Sequence, residues 1–154
     1  MPGRTLDETD APALARYLLS FRWPFRHDDI EQELVAGGLR LWQEILRVVP
    51  QPAERGRALE LGSPPFHITL LLRRFRPYEL TLAGSASDDR PEIVQEVESP
   101  EYDERHLFRC TCFDVECDRF PFADATFDLV TCCEVIEHLT QNPVHALAEI
   151  HRVL

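Results

Sequence analysis

Residues 57–75, RALELGSPPFHITLLLRRF, join a short apolar strand to an amphipathic run through a bend that holds one glycine and two prolines. That strand–bend–helix unit restricts the fold more than any total, because the same alternation continues downstream. YELTLA (78–83), HLFRCTCFDV (106–115) and FDLVTCC (127–133) read as further strands, and PPFHITLLLRRF (64–75) as a helix. NPVHALAEIHRVL (142–154) reads as a closing helix, with Asn142 as its cap and Pro143 in the first turn. Strands alternating with helices predict an α/β fold with a parallel sheet, here of four strands. A polar segment rich in Asp, Glu and Ser runs from Gly84 to Arg105 and shows no readable strand.

Two helical stretches precede this unit. APALARYLLSFRW (11–23) ends at Pro24, and DDIEQELVAGGLRLWQEILRVV (28–49) carries an apolar stripe of Ile30, Leu34, Leu41, Ile45 and Leu46. The Gly37–Gly38 pair is expected to kink or split the second helix. Pro50 and Pro52 mark a change of character. Residues 1–50 are therefore expected to form a helical lid, and residues 51–154 a ligand-binding domain.

Composition narrows the partners. The chain has 154 residues, enough for one core, and a net charge of -11 that repels phosphate backbones and disfavours nucleic acid. Arg73, Arg74 and Arg76 close a helix, where cations suit the negative end of its dipole. No apolar run reaches the length needed to span a membrane, and no signal-peptide pattern opens the chain. The five cysteines (Cys110, Cys112, Cys117, Cys132 and Cys133) lack the paired C-x2-C spacing of structural zinc sites. They are expected to be reduced thiols, and the compartment the cytoplasm.

In an open parallel sheet, ligands sit beyond the carboxyl ends of the strands, so the bend after the first strand is the place to look. Gly62 lets a ligand approach its backbone, Ser63 can cap the next helix, and Pro64 and Pro65 stiffen the turn. There is no G-x4-G-K-[ST] pattern, and Glu60 brings a carboxylate. A ligand with a cationic amine suits such a turn better than a phosphate.

The second half, FDVECDRFPFADATFDLVTCCEVIEHLTQNPVHALAEIHRVL, resembles the core of class I S-adenosylmethionine-dependent methyltransferases. The likeness runs over residues 57–154 and rests on the series FPF, FDLV, EVIEHL and EIHRVL. It implies a Rossmann-like methyltransferase core, S-adenosylmethionine as cofactor and a small-molecule acceptor. Glu60 and Gly62 match the family's first motif, although the usual E-x-G-x-G-x-G is here E-L-G-S-P-P-F. The resemblance places Glu60, Gly62 and Ser63 at the donor turn, and Cys133 and Glu134 beside the methionine part and sulfonium. It places Glu116, or alternatively Asp114, at the adenine amino group, with the Cys117 backbone beside the ring. No acid stands in register to hold the ribose; Asp88 and Asp89 come late.

His138 is the nearby residue able to act as a base, with capping or packing of the helix start as the other reading. EVIEH also resembles the metal half-site of RNA 2′-O-methyltransferases, through Glu134, Glu137 and His138, but the further histidine of that family is missing. A non-catalytic binding module is the remaining alternative. The family fold has seven strands and only four are readable here. The resemblance therefore implies an incomplete domain, inactive alone and open to self-association along an exposed sheet edge.

Overall fold

The strand β1 (Gly56–Leu61) orders the rest of the molecule, with five of its six residues buried. Burial on both faces is what a central parallel strand requires. It pairs in parallel with β2 (Tyr78–Gly84) on one side and β5 (Leu129–Cys132) on the other. Beyond β2 lies β4 (Glu104–Cys112), also parallel, and beyond β4 the antiparallel β3 (Glu92–Ser99), giving the order β3-β4-β2-β1-β5. This computed structural model describes residues 6–24, 28–52, 54–85 and 90–154.

The sheet is therefore mixed and has five strands, where four parallel ones were expected. The polar segment from Gly84 to Arg105 contains the unread strand β3, which runs in register with β4 from Glu92 opposite Thr111 to Ser99 opposite Glu104. Its charges pair across the hairpin, Glu92 with Arg109 at 3.3 Å and Glu96 with Arg105. The other strands lie where the sequence puts them, shifted at their ends by a few residues.

Four helices complete the fold: α1 (Ala11–Leu19), α2 (Asp28–Val48), α3 (His67–Phe75) and α4 (Pro143–Val153). Asp10 caps α1 and Asn142 caps α4, each accepting a backbone N–H three residues on. Contrary to expectation, α2 runs unbroken through Gly37–Gly38. The helix α3 also begins later than expected. Pro64 and Pro65 stay in the turn, joined by a cis peptide bond, and Phe66 at φ 71° precedes the first helical residue. Ser63 does not cap it; its hydroxyl donates to the Glu60 carbonyl at 2.8 Å.

Strand alternation separates two cores. Ala58, Leu82, Phe108 and Cys110 face α1, α2 and α3, packing with Leu14, Tyr17, Leu18, Val35, Trp42 and Leu70. Leu59, Leu61 and Ala83 face the other way, against Phe113, Phe120, Phe127 and Val153 of α4. The arginines closing α3 are engaged in this packing. Arg73 stacks over Phe108, Arg74 pairs with Glu104 at 2.6 Å, and Arg76 donates to the Leu46 and Val49 carbonyls at the end of α2.

Candidate active site

Parallel pairing brings four strand ends to one edge of the sheet, and the order reverses at β1, whose neighbours are β2 and β5. A crevice is expected at such a reversal. A cavity of about 480 Å³ lies there, lined by Gly62 after β1, Ala83–Ser85 at the end of β2, Phe113–Glu116 after β4, and Glu134, Val135 and His138 after β5. A second cavity of about 550 Å³ lies between α2 and the same turn; Gly62, Ser63, Pro64, Pro65, Cys133 and Glu134 contribute to its wall. Both volumes suit a small molecule.

Gly62 and Glu134 belong to both cavities. Gly62 has φ 76°, and a Cβ there would fall 2.3 Å from the Val135 side chain, so this position demands glycine twice over. Glu134 adopts φ 54° without being glycine. Such a conformation costs free energy and tends to mark functional sites. The Gly62 and Ser63 amides both donate to the Ala83 carbonyl at 2.9 Å, so neither is directed at a ligand as a phosphate cradle would require. Three carboxylates, Asp114, Glu116 and Glu134, line the β-edge cavity, a donor set that suits a cationic ligand and opposes an anionic one.

Glu60 lines neither cavity. Alternation turns it towards α3, where it is 3% exposed and accepts the Thr69 hydroxyl at 2.8 Å. Burial pushes its pKa up to about 8, against the opposing pull of the Thr69 bond and the Arg73 charge. Glu116 does line the β-edge cavity, but its Oε1 accepts the Gln141 and Asn142 amides at 2.6 and 2.7 Å. It thereby fixes the entry to α4. Asp114 lies beside it and accepts the Glu116 amide at 2.8 Å. Cys117 is exposed in the following turn and is not part of either cavity wall.

His138 ends a short 3-10 turn (Ile136–His138) and lines the β-edge cavity but not the one beneath α2. Among the described residues, no group of three or more His, Cys, Asp or Glu side chains is arranged to hold a metal, Glu134, Glu137 and His138 included. All five cysteines are free thiols. Asp88 and Asp89 lie outside the described residues. Among the described residues, no helix is long and apolar enough to cross a membrane.

Several wall residues carried no signal in the sequence. Ile30, Leu34 and Leu41 were expected in the core stripe of α2, but they are 50%, 39% and 42% exposed and line the cavity beneath that helix. Ile45 and Leu46 of that stripe do face the core, joined there by Val35 and Trp42. Trp42 and His67 also reach the cavity wall. Two apolar faces on one helix are indistinguishable from one broad stripe until the partner surface is known.

A mostly parallel sheet with a crevice at the reversal beside its first strand is a Rossmann-like architecture, shared by class I methyltransferases and other ligand-binding folds. The family model described as "Methyltransferase domain" matches residues 61–154, and the chain belongs to that family. No curated protein and no solved structure matches it.

Proposed function

We propose that this methyltransferase binds S-adenosylmethionine in the β-edge cavity and a small-molecule acceptor in the cavity beneath α2. The observation that carries this reading is the shared wall: Gly62 and Glu134 line both cavities, so a group can pass between their occupants there. The donor supplies an activated methyl group when bound. What remains for the protein is to align the acceptor with that group and keep water out. Glu134 would match the cationic amine and sulfonium of the donor, and Glu116 or Asp114 would accept from its adenine amino group. The apolar face of α2, with Ile30, Leu34 and Leu41, would cover the acceptor. His138 opens onto the donor cavity, so it can act as a base only on an acceptor atom that reaches that side.

Calorimetric titration of the full chain with S-adenosylhomocysteine, the demethylated donor, tests this directly. Binding is expected to S-adenosylhomocysteine but not to ATP, and Gly62→Val should abolish it, because the new side chain meets Val135 and the backbone at φ 76° disfavours it. Equal binding of ATP, or an unaffected Gly62→Val variant, would overturn the donor assignment.

A further inference from the structure

One buried polar group is left unused by the transfer proposed above. His67, the first residue of α3, is 1% exposed. Its Nε2 lies 2.5 Å from Glu31 Oε1 on α2. The ring stacks on Trp42, with centroids 4.6 Å apart and planes 22° apart, and meets Trp23 edge-on at 5.8 Å. The other ring nitrogen, Nδ1, is buried and has no hydrogen-bond partner among the described residues. A buried polar atom without a partner costs free energy and calls for an explanation.

The surroundings are built around this ring. A Cβ on Gly38 would fall 2.3 Å from the Trp42 indole, so the glycine is what lets the indole fold back along α2 and stack on the imidazole. His67 and Trp42 belong to the wall of the cavity beneath α2. Glu31 belongs instead to a separate small cavity, with Trp23 and Gln32. The imidazole thus lines the cavity beneath α2, while its carboxylate partner does not. An ionised carboxylate only accepts hydrogen bonds, so Nε2 donates to it. In the neutral ring the one proton is then fixed on Nε2, and Nδ1 presents a lone pair.

The rest of that cavity is largely apolar, formed by Trp42, Pro64, Pro65, Ile68, Leu34 and Leu41, while its carboxylates Glu33 and Glu134 disfavour anions. We propose that His67 Nδ1 receives the O–H or N–H group of the molecule bound beneath α2. The cavity then selects largely apolar, non-anionic compounds carrying a hydrogen-bond donor, such as an aromatic alcohol or N–H heterocycle. This deepens the reading of that cavity as the acceptor side and rests on it. Glu31 acts as the positioning residue, holding the ring in one tautomer and one orientation.

Phenol and toluene are matched in size and differ by the donor, so they serve as probes. The full chain, 15N-labelled at histidine, is titrated with each by NMR, with and without S-adenosylhomocysteine. Phenol should bind roughly five- to tenfold more tightly than toluene, the difference one buried hydrogen bond makes. It should also shift the His67 Nδ1 resonance towards that of a hydrogen-bonded nitrogen, and toluene should not. In His67→Phe the preference for phenol should vanish while toluene still binds. Equal affinities, an unmoved Nδ1 resonance, no binding of either probe, or a preference that survives in His67→Phe would each overturn the proposal. Should that variant fail to fold, the resonance in the unaltered protein still decides. Binding of S-adenosylhomocysteine is read separately, so failure of the donor assignment and failure of this one give different results.

Discussion

Glu60 shows how much one side chain can govern. It is buried with a single hydrogen bond, from Thr69, and burial raises its pKa to about 8. Between its ordinary 4.5 and about 8, the unfolded chain has lost a proton that the native state keeps. Stability must therefore fall as pH rises across that window. Glu60→Gln keeps an acceptor for Thr69 but cannot ionise. Its melting temperature relative to wild type should rise from pH 5 to pH 8, by roughly 2–4 °C for each kcal/mol gained. A constant difference between the two proteins across that range would contradict the buried, protonated state. The site itself was only partly readable. Gly62, Ser63, Glu116, Cys133, Glu134 and His138 were singled out from the sequence, and each lines a cavity. The inward turn of Glu60 follows from alternation with Ala58, a signal present in RALEL. The His67–Glu31 pair left none, because its members are 36 positions apart and meet only when α2 lies against α3.

Among the elements, α2 departs most from what its sequence suggests, and its two adjacent glycines have opposite tasks. A Cβ at Gly37 would meet nothing within 4 Å, whereas one at Gly38 would strike the Trp42 ring. Gly37→Ala should stabilise the protein by up to about 1 kcal/mol, the ordinary gain in a helix interior. Gly38→Ala should instead destabilise it, because the indole is held between the helix and His67. Urea denaturation of both variants checks this, and a gain at both positions would refute the account. The strand β3 was missed for a different reason. EIVQEVES lies at the sheet edge, where only Val97 and Ser99 are buried, so its charges masked the alternation. By contrast, other residues of the motifs that carry the resemblance serve the scaffold. Asp128 of FDLV accepts the Arg57 amide at 2.7 Å, and Arg152 of EIHRVL donates to the Phe120 and Phe122 carbonyls at 3.1 and 2.9 Å. Sequence order made the fold legible because these ties recur with the alternation; it could not tell a tie from a ligand contact.

At the scale of the whole molecule, the two sides of the sheet differ in where their residues come from. The larger core joins Leu14, Tyr17, Phe21, Val35, Trp42 and Leu46 to Ala58, Leu70, Leu82 and Phe108. Helices that share so much apolar surface with the sheet should melt with it. Both tryptophans, Trp23 and Trp42, precede β1, so their fluorescence reports on that segment alone. Its unfolding transition in urea should coincide with the far-UV circular dichroism transition of the whole chain, and two separate midpoints would show an N-terminal unit that unfolds by itself. The division between the cores also has a temporal side. Every buried member of the larger core lies at or before Cys110, whereas the smaller one needs Phe113, Phe120, Phe127 and Val153. During synthesis, then, one side of the sheet can assemble while the other is still being made. The β-edge cavity requires Glu134 and Val135, so it comes into being only when β5 docks beside β1. Ligand capture by a nascent chain would therefore report the arrival of β5 beside β1.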